Sequence, residues 1–428
     1  MSSDDNRKPE TLAIHAGTAP DPTTKARITP IYQTASYVFD DVDHAARLFG
    51  LQEFGNIYTR IMNPTTAALE GKIAALEGGA AALGVASGHA AQFLTFHTLM
   101  EPGCEIVAAK KLYGGSLNQL GQSFRKMAWN TQFVDADSAD NVARAINENT
   151  RAVFIESLAN PGGVVQDIEA IARVAHDAGV PLVVDNTLAT PLLCRPIDYG
   201  ADIVVHSTTK FLNGHGNSIG GLIVDAGRFD WAASDKFATL TQPNASYHGA
   251  VFTEAVGPIA FIIAARVLGL RDLGPAMAPM NAFLALTGME TLALRMERHC
   301  DNALALAQWL QRHPKVDWVS YAALRDNPYH ALAQRYLGGR GGAVFTFGLK
   351  GGYDAGVKLV SSVKLFSHLA NIGDTRSLII HPASTTHSQL EGEELVQAGA
   401  GPDVMRVSVG IEHIDDIIAD ISQALETI

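Results

Sequence analysis

A lysine that follows a buried strand, flanked by hydroxyls and glycines, is well sited to form a Schiff base beside a bound phosphate. The run Ala201-Asp-Ile-Val-Val-His206 reads as such a strand and opens into Ser207-Thr-Thr-Lys210, then into the glycine-rich Gly214-His-Gly-Asn-Ser-Ile-Gly-Gly221. Upstream, Pro181-Leu-Val-Val-Asp185 is a second apolar run of strand length, ending in a carboxylate. If the two runs are parallel neighbours in one sheet, Asp185 and Lys210 emerge at the edge where open α/β sheets bind ligands. An aspartate there can hold a pyridine nitrogen protonated, making the ring an electron sink, while the lysine carries the imine. Taken singly, a helix-capping Asp and a solvated Lys are the ordinary explanations. Taken together, with the hydroxyls and glycines, they point to pyridoxal 5'-phosphate (PLP).

A third element fits the same chemistry. Ala81–Ala86 reads as a strand, Ser87-Gly88-His89 as a turn, and the residues from Ala90 as a helix. A helix N-terminus offers free N–H groups and a positive dipole end to an anion, so Gly88 and His89 can hold phosphate through their amides; a plain strand-to-helix turn is the simpler alternative. The stretch Gly78–Met100 has no Asp, Glu, Lys or Arg, but four glycines, Ser87, His89, Gln92 and His97 interrupt it. A buried strand, turn and helix account for it better than a membrane span.

The positioning frame follows from alternation. Strand candidates at Glu105–Ala108, Thr131–Val134, Ala152–Glu156, Leu182–Asp185, Ile203–His206 and Leu222–Val224 are separated mostly by helical patterns such as Asn141–Asn147 and Ile168–Ala178. That order predicts an α/β fold with a mostly parallel sheet covered on both faces. Past about Val267 the pattern changes to a long helical stretch, Gly288–Gln311, then to strands Ala343–Phe347, Ser377–Ile380 and Met405–Val409. The closing segment places Ile414, Ile417, Ile418, Ile421 and Leu425 on one helical stripe. The expected organisation is an N-terminal segment over 1–62, a large ligand-binding domain over 63–266 and a smaller α+β domain over 267–428.

With 428 residues, 47% of them hydrophobic, the chain can bury a sizeable core. Its net charge of −12 and the absence of a Lys/Arg run speak against nucleic acid and acidic membranes as partners. Cys104, Cys194 and Cys300 lie far apart without metal-type spacing, and the start Met1–Glu10 is too polar for a signal peptide, which fits a cytoplasmic location.

Eight segments, in order, extend the case over nearly the whole chain: Tyr58-Thr-Arg-Ile-Met-Asn-Pro-Thr65, Ser87-Gly-His-Ala-Ala91, Leu112-Tyr-Gly-Gly-Ser116, Glu156-Ser-Leu-Ala-Asn-Pro161, Val184-Asp-Asn-Thr187, Ser207-Thr-Thr-Lys210, His381-Pro-Ala-Ser-Thr-Thr-His387 and Arg406-Val-Ser-Val-Gly-Ile-Glu412. They resemble the Cys/Met-metabolism family of PLP enzymes, of PLP fold type I. Within it, Ser246–Gly249, Leu292–Cys300 and Ser384–Leu390 look most like the O-acetylhomoserine sulfhydrylases. The resemblance implies Lys210 as the Schiff-base lysine, Asp185 as the partner of the pyridine nitrogen, and Tyr113 as the ring-stacking residue and helper in proton transfer. It further implies phosphate contacts from Gly88, His89, Ser207 and Thr209, a ring-hydroxyl contact from Asn160, and an α-carboxylate clamp by Arg406, with Ser377 touching the same carboxylate. Tyr58 and Arg60 are implied to reach the phosphate of a neighbouring subunit, so the expected assembly is a homo-oligomer, a dimer of dimers. The implied substrates are small molecules, an O-acylhomoserine and a thiol or sulfide.

Two positions depart from relatives. Family members specialised as methionine γ-lyases place a cysteine two residues after the stacking tyrosine, where this chain has Gly115; position 89 is His where many relatives have Met or Gln. Other chemistries find little support. No Gly-Lys-Ser/Thr occurs, Gly214 and Gly216 lack the third glycine of a dinucleotide fingerprint, and His381 and His387 are six apart with no His-Glu-x-x-His. Asn244-Ala-Ser246 is a sequon without consequence in a cytoplasmic chain. A PLP-binding regulator without turnover is the reading from a different class, since fold does not fix function.

Overall fold

The computed structural model describes residues 7–161, 163–385, 395 and 399–428. Met1–Asn6 and Thr386–Leu390, with His387 and most of the Ser384–Leu390 segment, lie outside the described residues. Four helices and a run of strands open the chain: α1 (Pro9–His15), α2 (Val42–Phe49), α3 (Pro64–Glu77), β1 (Ala81–Val85), α4 (Gly88–Leu99), β2 (Glu105–Ala109), β3 (Asn130–Val134) and β4 (Thr150–Glu156). A hairpin of two-residue strands follows, β5 (Leu158–Ala159) and β6 (Val164–Val165), and then β7 (Leu182–Asp185), β8 (Ile203–Ser207) and β9 (Gly221–Asp225). Seven of these strands form one sheet in the order β1-β9-β8-β7-β4-β2-β3. Only β9 runs against the rest, pairing antiparallel with β1 and β8. The fold is therefore α/β, with a mixed, mostly parallel central sheet.

The strands are apolar runs because both faces are covered. Val153, Phe154, Ile155, Val183, Val184, Val204 and Val205 are all at most 1% exposed, and such strands need no polar alternation. Helix α3 starts at an Asn63 cap, whose Oδ1 accepts the Thr65 amide, and stops at Gly78 with φ +74°. Lys72 on α3 is fully buried and donates its Nζ to the carbonyls of Ala13 and Ile14, the last turn of α1, at 2.6 and 3.0 Å. A cation at a helix C-terminus is favourable, and here it ties the N-terminal segment to the large sheet. Burial pulls this ammonium down to about 8.

The long helical stretch predicted over Gly288–Gln311 is two helices, Pro279–Glu290 and Leu292–Gln311, interrupted at Thr291. The cause is tertiary: Arg295 turns back so that one Nη donates to the Gly288 carbonyl at 2.6 Å and the other to the Phe211 carbonyl at 2.8 Å. The break thereby anchors the loop that follows Lys210. Beyond it lies a second sheet, β10 (Val316–Ser320), β11 (Val344–Leu349), β12 (Ser367–His368), β13 (Leu378–Ile380) and β14 (Val404–Ser408), ordered β10-β11-β14-β13-β12. Helices Leu292–Gln311, Gly352–Ser362 and Ile414–Leu425 cover it, and Phe345, Phe347, Met405 and Val407 meet Leu306, Leu310, Ile417 and Ile421 in a second core. Among the described residues no helix is long and apolar enough to cross a membrane, and no group of three or more His, Cys, Asp or Glu could hold a metal ion.

Candidate active site

The carboxyl ends of β4, β7 and β8 and the start of α4 surround a cavity of about 240 Å³. Glu156 and Asp185 are paired in the parallel register of β4 and β7, and Asp185 is opposite Val205 on β8, so all three strand ends reach the same edge. Lys210 stands just past β8 and lines the cavity together with Asp185, Gly88, His89, Tyr113, Asn160, Ser207, Thr209 and Arg406. The two residues from which the chemistry was read thus share one chamber, and Arg406 reaches it from β14 of the other sheet.

Each charged group there is incompletely matched by the chain. Lys210 donates its Nζ to Asn371 Oδ1 at 2.5 Å, and burial, with Arg406 nearby, pulls the ammonium down to about 8. Asp185 accepts from neutral donors: Gln92 Nε2 at 3.2 Å and the Thr187 amide at 3.0 Å. Gln92 also donates to Ser116 Oγ, while its own Oε1 is buried without a partner. Arg406 reaches Asn160 Oδ1 at 3.3 Å and the Asn371 carbonyl at 3.5 Å, long contacts for a guanidinium that burial pulls below its ordinary value. A buried cation with no carboxylate among these partners favours an anion brought by a ligand.

The phosphate-sized corner is built from backbone and hydroxyls. Ser87 caps α4 by accepting the Ala90 amide at 3.1 Å, and no hydrogen bond within the described residues uses the Gly88 and His89 amides. A Cβ on Gly88 would come within 2.8 Å of Ser207 Cβ, so glycine is what lets α4 start against β8. Thr187 Oγ1 accepts the Ser207 amide at 2.8 Å, and Thr209 Oγ1 accepts the Gly220 amide at 3.2 Å, which fixes both hydroxyl-bearing residues on the rim. Tyr113 guards the mouth, 47% exposed, its ring stacked on His89 at 5.9 Å between centroids. A Cβ on Gly115 would fall 2.4 Å from Tyr113 Cε1 and 2.8 Å from His89 Cε1, so the stack leaves no room for a side chain at 115.

A model of the family described as Cys/Met metabolism PLP-dependent enzyme matches residues 10–426. The chain belongs to that family. Among similar proteins of the PLP-dependent Cys/Met-metabolism enzymes, the O-acetyl-L-homoserine sulfhydrylase of Leptospira meyeri is 54% identical over 432 residues, covering 99% of this chain and 98% of that protein. The homocysteine synthase of Schizosaccharomyces pombe is 53% identical, covering 97% and 98%. A crystal structure of a putative O-acetylhomoserine (thiol)-lyase from Campylobacter jejuni, which contains N'-pyridoxyl-lysine-5'-monophosphate, superposes with a TM-score of 0.95 at 39% identity and covers 98% of this chain and all of its own. The cofactor is PLP, and the cavity fits it: free helix-start amides and two hydroxyls for an anion, a carboxylate met only by dipoles for a ring nitrogen, and a buried amine for an aldehyde.

Three predicted residues stand elsewhere. Ser377 does not line the cavity. It is fully buried, donates its hydroxyl to Glu412 Oε2 at 2.9 Å and accepts the Gly410 amide at 2.9 Å, so its hydrogen-bonding capacity is used beside the second sheet, away from the cavity lining. Tyr58 and Arg60 also lie off the chain's own cavity, Tyr58 42% exposed with the Arg60 guanidinium 5.6 Å from its ring centroid. Conversely, Asn371 and Gln92 belong to the site and were not singled out, because a loop amide and a helix amide carry no distinctive spacing. Glu156 stands in the sequence as the end of a strand and the start of a motif, with nothing local to give it a role of its own.

Proposed function

We propose that the protein catalyses γ-replacement on O-acetyl-L-homoserine, exchanging acetate for sulfide or methanethiol to give homocysteine or methionine. The observation that carries this reading is the convergence of the Lys210 amine, the Asp185 carboxylate and the Arg406 guanidinium on one cavity, in a chain 50–54% identical to sulfhydrylases and a homocysteine synthase. Bound there, PLP supplies an electron sink that lets protons leave Cα and Cβ of an amino acid. Arg406 grips the α-carboxylate with its planar fork. Lys210, held near 8, is neutral often enough close to neutral pH to take the Cα proton at Nζ and to hand a proton back. Asp185 keeps the ring nitrogen charged, Asn160 meets the ring hydroxyl, and the Gly88 and His89 amides with Ser207 and Thr209 hold the phosphate. The Tyr113 phenol, at the mouth, positions the ring and relays protons at Cβ and at the oxygen of the acetate that leaves Cγ. The tight Gly115 contact supports replacement over the γ-lyase reaction, because the side chain that lyases carry there would displace the Tyr113–His89 stack.

A dimer of dimers in the cytoplasm completes the proposal. Val38, Val42 and Phe54 are 97%, 84% and 65% exposed, an apolar N-terminal surface that a second copy can cover while bringing Tyr58 and Arg60 to its neighbour's phosphate corner. PLP binding that persists undiminished in proven monomers on dilution contradicts this assembly. The reaction itself is tested by a matrix of acetyl-, succinyl- and phosphohomoserine against sulfide, methanethiol and cysteine, scored as kcat/KM. Acetylhomoserine with sulfide or methanethiol is expected to lead; a lead for the succinyl or phospho ester, for cysteine, or for release without added thiol replaces the reading.

A further inference from the structure

Glu156 ends β4 inside the cavity, and none of the steps above uses it. It is 3% exposed. Its oxygens serve two separate segments: Oε1 accepts the Tyr113 amide at 2.6 Å and Oε2 accepts the Asn160 amide at 3.0 Å. Tyr113 carries the ring at the cavity mouth, and Asn160 carries Oδ1 to Arg406. In the register of β4 and β7 Glu156 is also the direct neighbour of Asp185. One side chain therefore touches the segments that present the stacking ring, the amide that meets the anion clamp, and the ring-nitrogen carboxylate.

We propose that Glu156 is a positioning residue that sets Tyr113 and the Asn160–Arg406 pair in fixed relation to each other. The inference rests on the PLP reading and goes a step beyond it. The choice of a carboxylate follows from the two amides aimed at it. An ionised carboxylate accepts at both oxygens, whereas a glutamine turns one acceptor into an N–H donor facing an N–H. Burial, and after it the adjacent Asp185, hold the Glu156 carboxyl well above the usual carboxylate range, and the Tyr113 and Asn160 amides oppose that rise without cancelling it, so the two hydrogen bonds that position these segments are also what favours the charged form. A merely structural acid, by contrast, would affect folding without moving the substrate clamp.

The test uses the PLP-loaded enzyme, Glu156→Gln and Glu156→Asp, and L-norvaline, which presents an α-carboxylate without a leaving group. Cofactor affinity and norvaline affinity are followed by visible absorbance, and the setting of the bound cofactor by its visible circular dichroism. Loss of one charged-acceptor hydrogen bond predicts that Glu156→Gln weakens norvaline binding about tenfold and changes the visible dichroism. KM for the amino-acid substrate is expected to rise more than kcat falls. Glu156→Asp, which keeps the acceptors on a shorter arm, should fall between that variant and wild type, and it carries the test if Glu156→Gln does not fold. Norvaline affinity and dichroism equal to wild type in both soluble variants, or a loss of thermal stability alone, overturns the proposal. If wild type binds norvaline but ignores O-acetyl-L-homoserine, the substrate reading fails while the Glu156 measurement still decides its own question.

Discussion

Strands β7 and β8 have an acidic residue near each end of the pair, and the two ends are built on different terms. At the amino end Asp202 accepts from His176 Nε2 and from the Leu182 amide, both at 2.8 Å. Burial pushes that carboxyl up and His176 pulls it down, so the chain supplies its own cation. At the carboxyl end Asp185 meets, among the described residues, only the Gln92 and Thr187 N–H dipoles, and the amine that shares its cavity, Lys210, is engaged by Asn371. A buried acid with a resident cation is spent on the fold; one surrounded by dipoles is left to be neutralised by a ligand. Burial alone separates the two poorly, and the identity of the partner separates them well.

If that contrast is right, substitutions at the carboxyl end should abolish chemistry while leaving the fold. The largest effect is expected from Lys210→Ala, with turnover down at least about a thousandfold, since it removes both the tether and the general base. The visible absorbance of the bound cofactor should change with it, and the melting temperature of the apo protein should not fall, because the amine removed is buried without a carboxylate partner and is met by the Asn371 amide oxygen. Retained absorbance and turnover would refute the assignment. Asp185→Asn follows, with turnover down about a hundredfold or more, because an amide cannot hold the ring nitrogen protonated. Its folded state should be as stable as wild type in the absence of PLP, measured by thermal unfolding of the apo protein; a large loss of apo stability would place Asp185 in the same class as Asp202.

Arg406→Lys comes next. A point-charge ammonium cannot reproduce the planar fork, so KM for the amino-acid substrate should rise about tenfold to a hundredfold while the cofactor stays bound. An unchanged KM would move the carboxylate clamp elsewhere, with Asn371 the first place to look.

These residues were legible in the sequence for a physical reason. Strands buried on both faces are unbroken apolar runs, so β4, β7 and β8 announced themselves, and a lysine or carboxylate at the end of such a run stands out. Where that signal weakens, the reading lapses. β10 shows Asp317 and Trp318 to solvent and lies at a sheet edge, so it lacks the apolar run. The break at Thr291 has no proline to mark it and comes with Arg295 bonding to Gly288 nearby and to Phe211, which is 84 positions away in the chain. Asn371 sits in a loop where nothing local distinguishes it, and it enters the site only because the 369–374 segment packs on Lys210. Ser377 shows the converse: its residue type suits a carboxylate, and the carboxylate its hydroxyl meets in the fold is that of Glu412, thirty-five positions on.

Ser377 therefore belongs with Asp202, and Ser377→Ala should lower stability by about 1–3 kcal/mol, because it strands one Glu412 oxygen and the Gly410 amide, with KM unchanged. A raised KM without loss of stability would return it to the site.

The smallest effect is at the amino end itself. The hydrogen bond to Asp202 raises the His176 pKa above its ordinary value, so its stabilisation is complete below the unfolded value of about 6.5 and is lost as pH rises through the folded value. The raised Asp202 carboxyl acts in the same direction, since the folded state then holds a proton more tightly than the unfolded chain. His176→Gln should therefore cost more at pH 6 than at pH 9. With the histidine side chain 41% exposed, solvent screening limits the difference to about 1 kcal/mol or less, so careful thermal melts at the two pH values are needed to read it. Equal costs at both would mean that the pair is held by a neutral hydrogen bond, and the amino end would then differ from the carboxyl end in geometry rather than in charge.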